Sequence, residues 1–336
     1  MNSDAIILLA KKSGPTSFGA ISDVKRALGT TKVGHTGTLD SFAQGLLVVC
    51  TGRLTKLAGY ITAFDKSYSA VIKFGEETDT LEYTGNIIRK TRCPSLKELT
   101  DAVNTFTGPI TQTPPLFSAI HIDGKRASDI ARQGKNVQMP ERNVTVYSAQ
   151  IKDTLFNEDN TVKYALIDFS VSKGTYIRSL ARDIAAACGS SAHLIGLYRT
   201  KVGSFSIEAA AGYEKIKNFT IDSAINEMNE NLNKTDKSQK EKQNDNEKLK
   251  KEIIDTRQDF TQELSVLCGF TNLTLTDDKA LKDYCNGKPL HSSLFDFNLH
   301  QLKNNSLVAV FDKNKTFRGL FNKDSEGRLH HNFIIN

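Results

Sequence analysis

The segment KVGHTGTLDSFAQGLL, residues 32–47, concentrates three glycines, two threonines, a histidine and a single acid, Asp40, before it becomes aliphatic. The small neighbours leave space above the Asp40 carboxylate for a large flat ligand, which the nearby His35 could contact. The aliphatic run predicts a buried strand that would hold the loop rigidly. Such a carboxylate suits nucleophilic attack or proton transfer, whereas an isolated Asp40 would be interpreted as a turn residue bonding its own backbone.

Strand-like and helix-like segments alternate irregularly around this loop. AIILLA and LLVVC are short apolar runs typical of buried strands, and SYSAVIKF and VKYALIDFSV alternate with the period of two of half-buried strands. Phe18 to Leu28 and TYIRSLARDIAAACG have the apolar spacing of amphipathic helices, and TKLAGYI indicates a short helix. This order predicts an α+β domain over residues 1–213.

The composition changes near residue 226, and the change divides the chain. Residues 226–259 carry eight Lys and Arg, nine Asp and Glu, and few apolar side chains. Such a segment buries too little surface to offset its ordering entropy, so residues 214–262 are predicted to be a charged helical or flexible linker. Residues 263–336 are strand-rich with turn signals at NGK, KNK and SEG, which indicates a small β-barrel.

Charge and cysteine content limit the class of partner and the compartment. The net charge of +6 belongs to residues 1–213, which hold 25 basic and 19 acidic side chains, and this mildly favours a nucleic-acid partner. The five cysteines lack any zinc spacing, and no run approaches the roughly 18 apolar residues of a membrane span. With no signal-peptide pattern at the start, we expect a cytoplasmic protein without a membrane partner.

Neither a nucleotide cofactor nor a metal is indicated by the motifs. The order GxxxxGK[ST] does not occur, and no GxGxxG follows a predicted strand, which argues against ATP and NAD. The seven histidines are dispersed, and the adjacent His330 and His331 would point to opposite faces of a strand. We therefore expect chemistry that needs no cofactor.

Five segments then occur in a fixed order over most of residues 6–206. They are KKSGPTS, KVGHTGTLDSFAQGLLVVCTGRLTK, FDKSYSAVIKFGEETDT, FTGPITQTPPLFSAIHIDGKRASDIARQGK and VSKGTYIRSLARDIAAACGSSAHLIGLYRTKVGSF. Together they resemble the KPxGxTS, GHxGTLDPxAxGxL, DKxYxxxxxxGxxTDT, QxPPxxSAxKxxGxRxYxxAR and SKGTYIRSL blocks of bacterial tRNA pseudouridine-55 synthases, the TruB family.

The resemblance implies a fold and a reaction. Residues 1–213 would form a pseudouridine synthase-type catalytic domain, a mixed β-sheet with flanking helices and an RNA-binding thumb at about residues 120–145. The stretch DYCNGKPLHSS and the strands after it are similar to a PUA domain, so residues 263–336 would bind the acceptor end of tRNA. The substrate would be uridine 55 of the tRNA T-loop, which must be flipped out of its stack before reaction.

The resemblance implies a role in this reaction for particular residues. Asp40 would be the catalytic carboxylate, which attacks the sugar or stabilises positive charge there. Tyr68 would stack on the target base and help to remove the C5 proton, Arg178 would pair with Asp40, and Leu197 would pack beside the base. Core packing is the simpler interpretation of Tyr68 taken alone.

Further residues are implied to bind RNA or to support the site. His35 would stack in the space left by the flipped base, and Lys11 would be structural or would contact phosphate. The thumb would contact the T-arm through its basic side chains, Lys125, Arg126, Arg132, Lys135 and Arg142. We expect a monomer that binds tRNA.

Three departures and three alternatives accompany this interpretation. Lys12 and Ser41 stand where the family usually has proline, and Ser128 replaces a thumb tyrosine. One alternative is an RNA-binding or RNA-folding protein whose synthase site is vestigial. Another is a glycosidase that uses Asp40 and Asp65 as a carboxylate pair. The last is a guide-RNA-dependent synthase with partner proteins, which the bacterial-type thumb disfavours.

Overall fold

The computed structural model describes residues 4–122, 124–133, 138–233 and 239–336. Its helices are α1 (Ser17–Leu28), α2 (Ala58–Thr62), α3 (Leu96–Thr105), α4 (Ala127–Arg132), α5 (Ile177–Ala187), α6 (Ile221–Asn233), α7 (Gln239–Asp255), α8 (Gln262–Leu267) and α9 (Asp278–Cys285). Its strands are β1 (Ile6–Lys11), β2 (Val33–His35), β3 (Gln44–Thr51), β4 (Lys66–Phe74), β5 (Glu76–Thr78), β6 (Ile87–Lys90), β7 (Gly108–Gln112), β8 (His121–Ile122), β9 (Lys125–Arg126), β10 (Arg142–Phe156), β11 (Val162–Val171), β12 (Ala192–Val202), β13 (Phe205–Ser206), β14 (Thr271–Thr274), β15 (Ser306–Phe311), β16 (Phe317–Lys323) and β17 (Leu329–Ile334).

A mixed sheet forms the main body of the protein. Its strand order is β1-β3-β12-β4-β11-β10-β7, with β2 added to β3 and β13 to β12. Neighbours run antiparallel except β3 and β12, whose parallel pairing brings Gln44 beside Tyr198 and Gly45 beside Arg199. The predicted α+β class with a mixed sheet is thus confirmed.

The strands beside the Asp40 loop are buried on both faces. Every residue of β3 is buried, because Leu46, Val48 and Cys50 lie in one apolar cluster, and Leu47 and Val49 lie in another that includes residues of α1. Burial on both sides explains why LLVVC is a continuous apolar run. The predicted strand VKYALIDFSV coincides with β11, and the predicted helix at Phe18 to Leu28 coincides with α1 within one residue.

Two helices occupy the described part of residues 214–262. The first, α6, buries Ile221 and Ala224 against the sheet beside Ile195. The second, α7, buries Ile253 in the cluster beneath α1, and the Glu252 carboxylate accepts a hydrogen bond from the Gly212 amide at 2.7 Å. Although this segment is highly charged, both helices pack on the main body through these contacts.

Residues after α8 form a second sheet of order β14-β15-β16-β17, counted over the part of the chain that the structure describes. Its apolar side shares a cluster with the main body, where Phe260, Phe270 and Phe317 lie with Ile6 and Leu8. A closed PUA-like barrel is not confirmed by this open strand order and remains a prediction. Within the described ranges, no helix is both long and apolar enough to span a membrane.

We predict that Gly45→Ala strongly destabilises the protein. The Gly45 backbone has φ +116°, and an added Cβ would lie 2.4 Å from the Arg199 carbonyl oxygen. Strain and the clash together should lower the free energy of unfolding by roughly 2–4 kcal/mol, measured by urea denaturation. Gly59→Ala is the control, because Gly59 is an exposed residue of α2 with open space at the Cβ position, and it should be neutral or stabilising by up to about 1 kcal/mol. Equal midpoints for the two variants would contradict the prediction.

Candidate active site

The loop that carries Asp40 is held tightly by its own backbone and by α1. The Asp40 carbonyl accepts a hydrogen bond from the Ala43 amide at 3.1 Å, which closes the turn. The hydroxyl of Ser17 donates to the Leu39 carbonyl at 2.9 Å and accepts from the Leu39 amide at 2.8 Å. Because Ser17 begins α1, this pair of bonds ties the residue before Asp40 to a helix.

A buried ammonium group lies beneath the same loop. The Nζ atom of Lys11 is within hydrogen-bond distance of the carbonyl oxygens of Ala43 (2.5 Å), Lys12 (3.0 Å), Asp40 (3.1 Å) and Ser41 (3.3 Å). Lys11 is 2% exposed, and this burial lowers its pKa to about 8. Of the two roles implied for Lys11, the contacts favour the structural one, because its donors are directed at protein carbonyl oxygens.

Arg178 contacts the Asp40 carboxylate from α5. Its Nε atom lies 3.0 Å from Oδ2, and Nη2 lies 3.3 Å from Oδ1. The guanidinium is also fixed by the carbonyl oxygens of Thr80 (2.8 Å) and Phe117 (2.9 Å), so it has one orientation. The Arg178 side chain is 5% exposed and that of Asp40 is 35% exposed. A rigid buried cation therefore orients a carboxylate that a ligand can still reach.

A cavity of about 660 Å³ opens above this pair. Tyr68 on β4 and Leu197 on β12 line it together with Asp40 and Arg178, so four residues predicted from the sequence meet here. Its size falls within the ~300–1,000 Å³ typical of small-molecule pockets and suits a nucleoside. In the described ranges, no group of three or more His, Cys, Asp or Glu side chains is arranged to hold a metal ion.

His35 lies beside the cavity, not in its lining. It ends β2, where it pairs with Val49 of β3, and it is half-buried. Burial, with the nearby Arg199 cation, lowers the pKa of His35. The neutral imidazole therefore predominates near pH 7, which suits stacking better than acid–base chemistry.

Arg199 is a site residue that the sequence interpretation missed. It is 1% exposed, and its guanidinium donates to the carbonyl oxygens of Leu46 (2.8 Å), Gly37 (3.2 Å) and Thr38 (3.4 Å). These bonds hold the stretch before Asp40 against the strand that follows it. The sequence signal that could have identified Arg199 is its position directly after the apolar run AHLIGLY, because a charge buried there needs hydrogen-bonding partners.

A second carboxyl group, that of Glu82, also lines the cavity and was not predicted. Burial raises its pKa, Arg178 opposes that effect, and the Asp40 charge adds to it. The two acids at the cavity therefore differ, since Asp40 has a direct ion pair with Arg178 and Glu82 is less readily ionised. Lys66 lines the cavity as well, and burial lowers its pKa to about 8.

The predicted thumb contributes one wall of the cavity. Arg126, Ser128 and Arg132 line it, whereas Lys125 does not. The Arg142 guanidinium lies 5.5 Å from the ring centroid of Tyr176, another lining residue. Lys135 lies outside the described residues.

Solved structures define the class of the fold. The chain is similar to the crystal structure of a Cbf5-Nop10-Gar1 complex, with 21% identity and a TM-score of 0.63 over 98% of this chain and 84% of that one. A structure of an H/ACA RNP bound to a substrate RNA containing 2'-deoxyuridine gives 19% identity and a TM-score of 0.63, over 99% and 85% of the two chains. The molecule therefore shares the mixed α/β fold of these two structures.

Sequence relatives narrow the class to a family. Residues 25–177 match the TruB family pseudouridylate synthase (N terminal domain). The chain is 42% identical to tRNA pseudouridine synthase B of Bordetella avium over 221 residues, which is 65% of this chain and 88% of that relative. Its match to the enzyme of the same name from Treponema denticola is 46% identical and covers 66% of each chain, just under two thirds of that relative. The chain belongs to the TruB family of pseudouridylate synthases.

We predict that two lysine side chains titrate near pH 8. Lys11 and Lys66 each have a pKa of about 8, against 10.5 for an ordinary lysine. Since both folded values lie below the unfolded value, the cost of burying each ammonium is fully present below pH 8 and is relieved as the pH rises toward 10.5. A ¹³C NMR titration of lysine Cε resonances should show both groups, and Lys11→Met should remove one of them. A spectrum in which Lys11 titrates at its ordinary value would contradict the burial that we describe.

Proposed function

We propose that this chain is a tRNA pseudouridine synthase that isomerises uridine 55 of the T-loop to pseudouridine. The observation that carries the proposal is the pairing of Asp40 with the buried Arg178 at the base of a nucleoside-sized cavity. It is supported by relatives at 41–46% identity that are named tRNA pseudouridine synthase B. An acid on so rigid a loop is positioned for one reaction geometry.

The reaction breaks the bond between uracil N1 and C1′ of the ribose and forms a bond between C5 and C1′. The C5 proton leaves to solvent and N1 gains a proton, so the product is an isomer and the step needs no oxidant or reductant. Asp40 would attack the sugar or stabilise the positive charge that develops on it. Arg178 would pair with the carboxylate and hold it correctly oriented throughout.

The other predicted residues would handle the base. Tyr68 would stack on the flipped uracil and help to remove the C5 proton, and Leu197 would pack beside the ring. Both side chains line the cavity from adjacent strands, which fixes their separation. His35, at the edge of the same loop, would occupy the space in the RNA that the base has left.

RNA contacts outside the cavity would come from two regions. Arg126 and Arg132 of the thumb, about residues 120–145, would contact the T-arm through phosphates. Residues 263–336 would form a PUA-like unit that binds the acceptor end, joined to the catalytic domain (1–213) by the helices of residues 214–262. The shared apolar cluster at Phe260 and Phe317 supports a fixed placement of this unit.

The alternatives can be weighed against the same geometry. A glycosidase would need Asp65 to face the sugar opposite Asp40, yet Asp65 is exposed and does not line the cavity. A protein that only binds RNA would have no use for the Asp40–Arg178 pair. The likeness to the Cbf5 complex does not favour the guide-dependent alternative, because at 21% identity it concerns the fold alone.

We predict that Asp40→Asn abolishes pseudouridine formation and leaves tRNA binding intact. The amide keeps the size of the carboxylate and loses its charge, so the rate should fall at least about 1,000-fold. Tritium release from tRNA transcript labelled at uridine C5 measures the rate, and filter binding measures affinity. Asp65→Asn is the matched control and should retain the wild-type rate.

Substrate identity is checked in the same assay. A transcript with cytidine at position 55 should release no tritium with the wild-type protein. Tight binding without release from any transcript would overturn the proposal and favour the protein that only binds RNA. A loss of rate in Asp65→Asn equal to that in Asp40→Asn would favour a carboxylate pair.

We predict that Arg126→Ala weakens tRNA binding and reduces its salt dependence. If Arg126 contacts a phosphate, its loss should reduce the slope of log affinity against log salt by about one. Arg89→Ala is the control, because Arg89 is an exposed arginine of β6 that does not line the cavity. Binding isotherms between about 50 and 200 mM salt would show the difference, and identical slopes for both variants would contradict the thumb assignment.

A further inference from the structure

Helix α6 contacts the beginning of the strand that follows the Asp40 loop. The Gln44 side-chain amide donates a hydrogen bond to the Glu227 carboxylate at 3.1 Å. Gln44 is 8% exposed and begins β3, four residues after Asp40. Glu227 is thus hydrogen-bonded to the strand that follows the Asp40 loop. It lies outside residues 25–177, which match the family.

One turn further along α6, Asn231 bonds two more loops. Its side-chain amide donates to the Ser13 hydroxyl at 3.2 Å and to the Tyr83 hydroxyl at 3.0 Å. Ser13 follows β1, and Tyr83 follows the cavity residue Glu82. Helix α6 therefore contacts three chain segments that all converge on the site.

The charged side chains around Lys11 explain why a further acid is favourable beside the Asp40 loop. Lys11 is faced by three charged groups, which are Asp40, Arg199 and Glu227. The Asp40 carboxylate, which is also paired with Arg178, favours the Lys11 ammonium more than Glu227 does, and Arg199 repels it. Glu227 is the remaining acid of the set, and its charge raises the pKa of Lys11 against the effect of burial.

The surroundings of Glu227 support a charged interaction of this kind. Burial raises its pKa, whereas a hydrogen bond from Ser13 and the Lys11 charge lower it, and Glu230 on the same helix raises it. Burying a carboxylate costs free energy. The two hydrogen bonds that Glu227 accepts and the attraction of a nearby cation offset that cost. The cation that it faces is the one whose donors hold the Asp40 loop.

We propose that Glu227 is a positioning residue, whose carboxylate acts through Lys11 and Gln44 to hold the Asp40 loop in its catalytic geometry. The expected effect on catalysis rests on the proposed function, whereas the effect on Lys11 and the loop does not. In the absence of the Glu227 charge, Lys11 would lose its proton at lower pH. A neutral amine has one donor fewer for the four carbonyl oxygens around it, so the loop would loosen.

The test is Glu227→Gln, which keeps the size of the side chain and removes its charge. The Lys11 pKa, followed by its ¹³Cε resonance, should fall by roughly one pH unit. The alkaline limb of the rate of pseudouridine formation should move down by the same amount. At pH 8 we expect kcat to fall roughly 5-fold with little change in KM, because the protonated fraction of Lys11 falls by that factor and the thumb contacts are untouched.

Two further variants separate charge from packing. Glu230→Gln removes an exposed acid from the same helix and should leave the Lys11 pKa and kcat unchanged. Glu227→Asp keeps the charge and should restore most of the pH profile. An unchanged Lys11 pKa in Glu227→Gln would overturn the inference, even if the variant were less stable. The NMR result does not depend on activity, so an inactive wild-type protein would count against the proposed function alone.

Discussion

Buried cations bonded to backbone carbonyl oxygens are the constraint on which this site depends. Lys11, Arg178 and Arg199 are each no more than 5% exposed, and together they engage carbonyl oxygens on both sides of Asp40. Removing such charges from water is costly, and the hydrogen bonds that the cations donate to several carbonyl oxygens offset that cost only if the loop keeps one conformation. The loop is therefore rigid because its cations would otherwise be unsatisfied.

The topology of the sheet follows from the same requirement. Arg199 can donate to Leu46 and Gly37 because β12 runs parallel to β3 at Gly45. The close approach of the two backbones there excludes any side chain at position 45. A local motif, TLDSFAQG, thus depends on a strand about 150 residues later in the chain.

Much of this arrangement could be predicted from the sequence, and the failures have a common cause. Periodicity located β11 and α1, and motif resemblance located Asp40, Tyr68, Arg178 and Leu197, because each signal lies in adjacent residues. Arg199 and Glu82 were missed because their importance comes from tertiary partners, which no local pattern records. The packing of α7 was missed for the same reason, since one buried residue, Ile253, does not alter a composition dominated by charge.

The balance of charge at the cavity reconciles two opposed demands. In the proposed reaction a polyanionic RNA would approach a site whose chemistry needs a carboxylate, and the two would repel each other in a neutral surrounding. The Arg178 and Arg199 cations outnumber the Asp40 carboxylate, and burial raises the pKa of Glu82, the second acid at the cavity. Arg126 adds positive charge to the cavity wall, as does Arg132, which is paired with Asp129. The Asp40 carboxylate therefore lies in a predominantly cationic surrounding, and the buried cations that fix the loop contribute to it.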